Sequence, residues 1–349
     1  MGPPELGRRM KRRVVVFQAP FRVRMKIETV PTPGPNDVIV RSAISSVSAG
    51  TELLAYRGQV PTGLPIDASL PALSGVFRYP LRYGYAAVGT VCAAGDRVAK
   101  TWVGRRVFCF HPHASHIVVD PAGLVPIPDD VDFRDAVFLA NMETALTLVM
   151  DGLPTIGEHV VVFGQGVVGL LATGLLSQYP LAALFCVEPL ARRREASLQA
   201  GAQAAFDPAV MPSVTDRLKE TTDGGMADLV FELSGDPPAL DAAIEAAGFG
   251  ARIVIGSWYG SKPVAVNLGG AFHRSRLRLI GSQVSSLPPK FLPRWTKPRR
   301  FSVAWDMIRR IRPSRLITHD LAVERAAEAY ELLDRRPEEV LQAVFTYKK

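Results

Sequence analysis

The chain has 349 residues, 48% of them hydrophobic, which suits two globular domains at roughly 150 residues each. It has no uncharged apolar run of about 18 residues, so no membrane span is expected, and three scattered cysteines (Cys92, Cys109, Cys186) with no CxxC pair fit a reducing cytoplasm rather than a disulfide framework. The formal charge of +8 is concentrated: nine basic residues and the single acid Asp306 lie between Lys290 and Arg315, which reads as a solvated face, or as a site for an anionic substrate or an acidic partner, with no motif that would go with nucleic acid.

Met1 to Arg12 is basic and lacks the apolar segment of a secretory signal. It is expected to be a disordered extension ahead of a first domain spanning 13–150. Strands are expected at 13–17 and 23–27 around a turn at Ala19-Pro20, and again at 37–44. A short helix follows at 48–56, then a proline-rich loop to Leu81, and further strands at 85–91, 106–110 and 115–119. Closely spaced strands with Gly and Pro punctuation indicate a small β-rich barrel. Asp132 to Met150 has helical spacing (Phe133, Val137, Ala140, Thr144, Leu148) and leads into a second domain, 151–283. There the pattern becomes strand–helix–strand: strands at 159–163, 182–187, 228–232 and 251–256, helices near 167–178, 190–200 and 237–247, and a last strand at 277–282. Such alternation predicts an α/β, doubly wound parallel sheet. The remainder, 284–349, reads as helices at 302–310 and 323–334 and a final strand at 343–347.

The buried run Val160 to Phe163 passes directly into Gly164-Gln165-Gly166-Val167-Val168-Gly169, and Leu170, Leu171, Ala172, Leu175 and Leu176 then open a helix. Strand, glycine turn and helix make a dinucleotide fingerprint. The first glycine makes the turn, the second admits a pyrophosphate, and the third lets the helix pack on the strand. The anion would sit on the free N–H groups of the helix start. Glu188 follows Gly169 by nineteen residues. An acid about 20 residues on binds the adenosine ribose hydroxyls and repels a 2′-phosphate, so NAD(H) is favoured. Arg192, Arg193 and Arg194 keep NADP(H) open, because Arg193 would either pack on adenine or grip that phosphate. The Ile255-Gly256-Ser257-Trp258-Tyr259-Gly260 loop leaves a strand at the ligand-binding end of such a sheet and should line the nicotinamide pocket. His273, Arg274 and Arg276 read as a solvated face, or as contacts to an anionic substrate.

From about Lys11 to Tyr347 the chain resembles the medium-chain dehydrogenase/reductase superfamily. The marks are Ala49-Gly-Thr-Glu52, Tyr83-Gly-Tyr-Ala-Ala-Val-Gly-Thr-Val91, Gly164 to Gly169, Val230-Phe-Glu-Leu-Ser-Gly235 and Ile317-Thr-His-Asp-Leu321. The resemblance implies a GroES-like β-barrel, a Rossmann domain, and a C-terminal return to the barrel. It also implies Ser234, Gly235 and Thr144 beside the cofactor, and a homodimer. Zinc members of the family place a Cys, a His-Glu pair and a third ligand where this chain has Ala49, Tyr85-Ala86 and Ala140, and no four-cysteine lobe lies between Gly95 and His116. The residues therefore resemble a zinc-free branch that includes bacteriochlorophyllide dehydrogenase. His111, His113 and His116 are the remaining candidates for a metal, with no carboxylate or Cys beside them in the sequence. Without zinc, the resemblance gives Thr51 the proton-relay hydroxyl and Tyr85 the acid, with Glu52 behind them. It implies an NAD(H)-dependent oxidoreductase of an alcohol/ketone pair; the small-molecule substrate would be anionic if His273, Arg274 and Arg276 contact it, or planar if it stacks on Trp258 and Tyr259, which otherwise close the domain interface. An NADPH-linked enone or quinone reductase, and a non-catalytic NAD-binding protein with an acidic partner, are the alternatives.

Overall fold

The first strand begins two residues earlier than the sequence predicts. In the computed structural model, which describes residues 10–61, 63–66, 71–210, 213–222 and 224–348, Lys11–Ala19 (β1) and Arg22–Thr29 (β2) pair as an antiparallel hairpin. Lys11 and Arg12 thus belong to a strand, and Arg12 is drawn inward by Glu28 at 2.6 Å. Met10 is tied to the hairpin as well, its carbonyl accepting the Val30 N–H at 2.8 Å, and 1–9 of the expected extension lie outside the described residues. Val38–Ser46 (β3) precedes a helix at Ala49–Arg57 (α1), and Ala87–Ala94 (β4), Arg106–Cys109 (β5), His116–Val119 (β6) and Leu124–Pro126 (β7) follow. Val14 and Val16, Val38 and Val40, and Val107 and Cys109 send alternate side chains into one core with Ile117 and Leu124.

The single helix predicted over 132–150 is two: Phe133–Ala136 (α2) and Leu139–Gly152 (α3). The Phe138 N–H reaches back three residues to the Asp135 carbonyl, at 3.1 Å, which tightens the turn and ends α2. The boundary between the chain's two compact units falls here, at Ala140–Asn141, rather than near 150.

The second unit alternates His159–Phe163 (β8), Val167–Leu176 (α4), Ala183–Val187 (β9), Ala191–Gln199 (α5), Ala204–Phe206 (β10), Val214–Thr221 (α6), Ala227–Glu232 (β11), Pro237–Glu245 (α7), Ala247–Ile255 (β12), Arg278–Gly281 (β13) and Lys297–Ile311 (α8). Its sheet runs β10-β9-β8-β11-β12-β13, all parallel. The strand order reverses between β8 and β11, and ligands of such sheets bind outside the carboxyl ends at that point. The sequence misses β10 and α6. A three-residue strand is too short to show alternation. The polar helix α6 begins at a capping box, Ser213 with Asp216, a start signal legible in the sequence.

Ile317–Ala322 (β14), Ala326–Arg335 (α9) and Gln342–Thr346 (β15) return to the first unit, whose larger sheet is ordered β14-β15-β3-β4-β5-β7, with β6 also on β3. The return begins at Ile317, not at 284, so α8 and the basic segment belong to the second unit. No helix among the described residues is long and apolar enough to cross a membrane.

Candidate active site

In the second unit, Val160, Val161 and Val162 fill the middle of the sheet, and β8 must turn sharply into α4. Gly164 turns at φ 86°, with Ser234 N only 2.5 Å from where a Cβ would stand. A Cβ on Gly169 would collide with the Gly164 carbonyl oxygen. Gly166, the residue before α4, differs: a Cβ there meets nothing within 4 Å. No neighbour within the fold demands glycine at 166, whereas a ligand lying against bare backbone would. Val167 and Val168, half-buried, contribute the first N–H groups of α4.

Glu188, just past β9, is only 3% exposed. Its Oε2 accepts the Gln165 N–H at 2.7 Å and its Oε1 the Leu190 N–H at 3.1 Å, so the acid is tied to the glycine loop itself. The Gln165 side chain turns inward, accepting from Thr173 Oγ1 at 3.0 Å. The three arginines part ways. Arg194 donates to the Glu188 carbonyl at 2.8 Å and pairs with Asp207 at 2.9 Å. Arg192 donates to the Glu339 carbonyl at 2.8 Å. Arg193 has a buried Nε with no hydrogen-bond partner, a donor that a ligand oxygen would satisfy.

At the carboxyl ends of β11 and β12, the sequence reading overlooked Glu232. This wholly buried carboxylate accepts the Ser234 N–H at 2.8 Å and hydroxyl at 2.5 Å, the Gly235 N–H at 3.2 Å and the Tyr259 hydroxyl at 2.6 Å. Burial, and then this bond, push the Tyr259 phenol well above its ordinary value. Ser257 Oγ accepts the Gly235 N–H at 2.8 Å, and Lys262 Nζ donates to the Gly235 carbonyl. Glu232 thus organises the loops that carry Ser234, Gly235 and Ser257. A lone acid ending a buried strand was its signal, as for Glu188. Gly256 has an internal reason to be glycine, since a Cβ would strike Leu148 and Leu233. Trp258 and Thr144 are half-buried. His273, Arg274 and Arg276 are exposed and precede β13, at the amino edge of the parallel sheet and away from the fingerprint, which agrees with the solvated face rather than with contacts to an anionic substrate. Eight cations of the basic segment are exposed, but Arg300 is buried against Glu143 at 2.5 Å.

In the first unit, Tyr85 precedes β4 and Thr51 lies in the first turn of α1. The Tyr85 hydroxyl donates to Ser48 Oγ at 2.5 Å and stands 3.5 Å from Thr51 Oγ1. The expected acid and relay are therefore neighbours, and Ser48, which the sequence reading missed, is the nearer partner. Glu52 is wholly buried and takes the Ser48 N–H at 2.8 Å, so it stands behind the hydroxyls rather than among the reacting groups. The three histidines diverge. His111 lies on the Pro112 carbonyl at 2.7 Å, His113 on Glu52 at 3.0 Å and His116 on Ser115 at 3.2 Å. Burial pushes His111 down to about 4.

Comparison with known proteins gives one family model, described as zinc-binding dehydrogenase, matching residues 167–297. D-guloside 3-dehydrogenase of Escherichia coli K12 is 25% identical, over 89% of this chain and 93% of that protein. The 2-desacetyl-2-hydroxyethyl bacteriochlorophyllide A dehydrogenase of Cereibacter sphaeroides is 27% identical, over 92% of this chain and 94% of that protein. The crystal structure of a short-chain alcohol dehydrogenase from Escherichia coli CFT073, complexed with NADH, superposes with a TM-score of 0.78 at 20% identity, covering 97% of this chain and 99% of that one.

Proposed function

From a chain that belongs to the zinc-type alcohol dehydrogenase-like members of the medium-chain dehydrogenase/reductase superfamily, and is an oxidoreductase, we infer transfer of hydride between NAD(H) and a secondary alcohol or its ketone, with protein hydroxyls in place of zinc. The observation that carries this reading is the Tyr85–Ser48 bond of 2.5 Å with Thr51 beside it, Tyr85 standing where the resemblance puts a zinc-ligating His. Ala49, Ala86 and Ala140 offer only methyl groups. A zinc site needs three protein ligands of N, S or O type, so this donor set does not fit one and no step is assigned to a metal.

For the nicotinamide cofactor the residues fit. Bare backbone at Gly166, the Glu188 carboxylate on the glycine loop and the unpartnered Arg193 Nε are the groups that would hold it. Bound there, it supplies the redox step. In the ketone-reducing direction the Tyr85 phenol gives its proton to the oxygen that gains charge and regains one through Ser48 or Thr51, whose hydroxyls draw the replacement from water. In the alcohol-oxidising direction the relay runs backwards, and the alcohol proton leaves through the same hydroxyls to water. The secondary-alcohol class is supported by what the names of the two relatives describe, a sugar ring position and a hydroxyethyl group.

Glu188 favours NAD(H) because a 2′-phosphate would meet its charge. Calorimetric titration should give NADH at least about 10-fold tighter binding than NADPH, a difference of about 1.4 kcal/mol. Glu188→Ala should shrink that ratio by weakening NADH alone. Tighter NADPH binding by the wild type, with turnover of enones and none of butane-2,3-diol or methyl glycosides, would replace this reading with that of a C=C reductase.

A further inference from the structure

Both ends of the Tyr85–Ser48 hydrogen bond rest on one buried pair of side chains. Glu52 Oε1 accepts the backbone N–H of Ser48 at 2.8 Å, and this fixes the acceptor end. Glu52 Oε2 lies 3.0 Å from His113 Nε2 and accepts the Tyr330 hydroxyl at 2.5 Å. The His113 ring fills the space beside Gly84, the residue before Tyr85. A Cβ on Gly84 would stand 2.7 Å from His113 Nε2, and Gly84 has φ 110°, a conformation glycine adopts without penalty. The imidazole therefore seats the backbone that presents the phenol, which is the donor end. His113 is held in turn: Nδ1 is 2.7 Å from the Ser45 hydroxyl, Ser45 is 2.7 Å from the Tyr347 hydroxyl, and the Phe345 ring lies edge-on at 5.0 Å.

We propose that Glu52 and His113 are positioning residues for Tyr85. The carboxylate sets Ser48, the imidazole sets the Gly84–Tyr85 backbone, and together they fix the direction of the phenol. The proposal rests on the reading of Tyr85 as proton donor. A carboxylate suits the centre because the Ser48 N–H and the Tyr330 hydroxyl both donate to it, and His113 does the same in its Nε2–H tautomer. Glu52→Gln keeps the shape but turns one acceptor into an N–H donor, which must face either the Ser48 N–H or the His113 and Tyr330 donors. Buried polar networks of this kind tolerate a mismatch poorly.

The test uses the full-length protein with 13Cζ-labelled tyrosine, the Tyr85 resonance being identified by its loss in Tyr85→Phe. Glu52→Gln and His113→Asn should each move the Tyr85 resonance and its titration midpoint, although neither side chain has a hydrogen bond to Tyr85. NADH affinity should stay at the wild-type value. With butane-2,3-diol or a methyl glycoside as probe, kcat should fall about 10-fold or more with little change in KM, as expected for a misplaced proton donor. If a variant does not fold, Ser45→Ala removes the hydroxyl that lies between His113 Nδ1 and Tyr347 and leaves Glu52 and the imidazole in place, and it should move the same resonance by a smaller amount in the same direction. A Tyr85 resonance at its wild-type position in folded Glu52→Gln and His113→Asn, or in Ser45→Ala where those two do not fold, overturns the proposal even if thermal stability drops. Undiminished turnover in Tyr85→Phe would instead remove the proton-donor reading.

Discussion

Arg300→Met lowers the stability of the second unit by about 3–5 kcal/mol, the cost of stripping one partner from a buried ion pair. Arg300 is 1% exposed although it stands in the most basic stretch of the chain. Its guanidinium donates to Glu143 Oε1 at 2.5 Å, Thr147 Oγ1 at 3.0 Å, and the carbonyls of Val284 at 2.8 Å and Ser286 at 3.3 Å. It thereby pins the segment after β13 to α3. Burial pushes the Glu143 carboxyl above its ordinary value, and Arg300 opposes that rise. Without Arg300 the rise is larger. A raised acid binds its proton more tightly folded than unfolded, so its contribution to stability is present below the ordinary glutamate range and is lost as pH rises through the raised value. The deficit of Arg300→Met, read from urea unfolding, should therefore be smallest in acid and grow towards neutral pH. A deficit under about 1 kcal/mol, the range of an exposed pair, would mean that Arg300 is solvated.

The largest expected effect on activity belongs to Tyr85→Phe. The ring keeps its edge contact with Tyr83, at 6.4 Å between centroids, and only the hydroxyl that donates to Ser48 is lost. General acid catalysis of this type is worth about 10²–10⁴-fold, and kcat should fall by that much with NADH binding unchanged. Thr51→Val should cost less, because Thr51 Oγ1 is 3.5 Å from the phenol and Ser48 Oγ is 2.5 Å away. Equal losses in the two variants would make Thr51, not Ser48, the principal partner.

Features fixed by short-range pattern were legible in the sequence. The glycine turn, the helix behind it and Glu188 occupy consecutive elements, so spacing alone placed them together. Tyr85 and Thr51 were legible only through resemblance, because thirty-four residues separate them. Ser48 was missed because a serine before a helix has an ordinary reading as a cap, and here its side chain makes no capping bond. Glu232 was missed because the motif was read for Ser234 and Gly235, not for the acid that holds them. Arg300 was miscounted because charge along a sequence does not tell which face of α8 a cation occupies. For His273, Arg274 and Arg276 the sequence left a solvated face and substrate contacts both open, because only the parallel register of β13 shows that they enter the sheet at its amino edge.

The claim that hydroxyls replace zinc is tested most directly by measuring bound metal and turnover on one sample, before and after exhaustive chelation, with NAD⁺ and a panel of secondary alcohols that includes butane-2,3-diol and methyl glycosides. Substoichiometric zinc and a turnover rate that chelation leaves unchanged are the expected results. One zinc per chain, with turnover lost on chelation and restored by zinc alone, would contradict that claim.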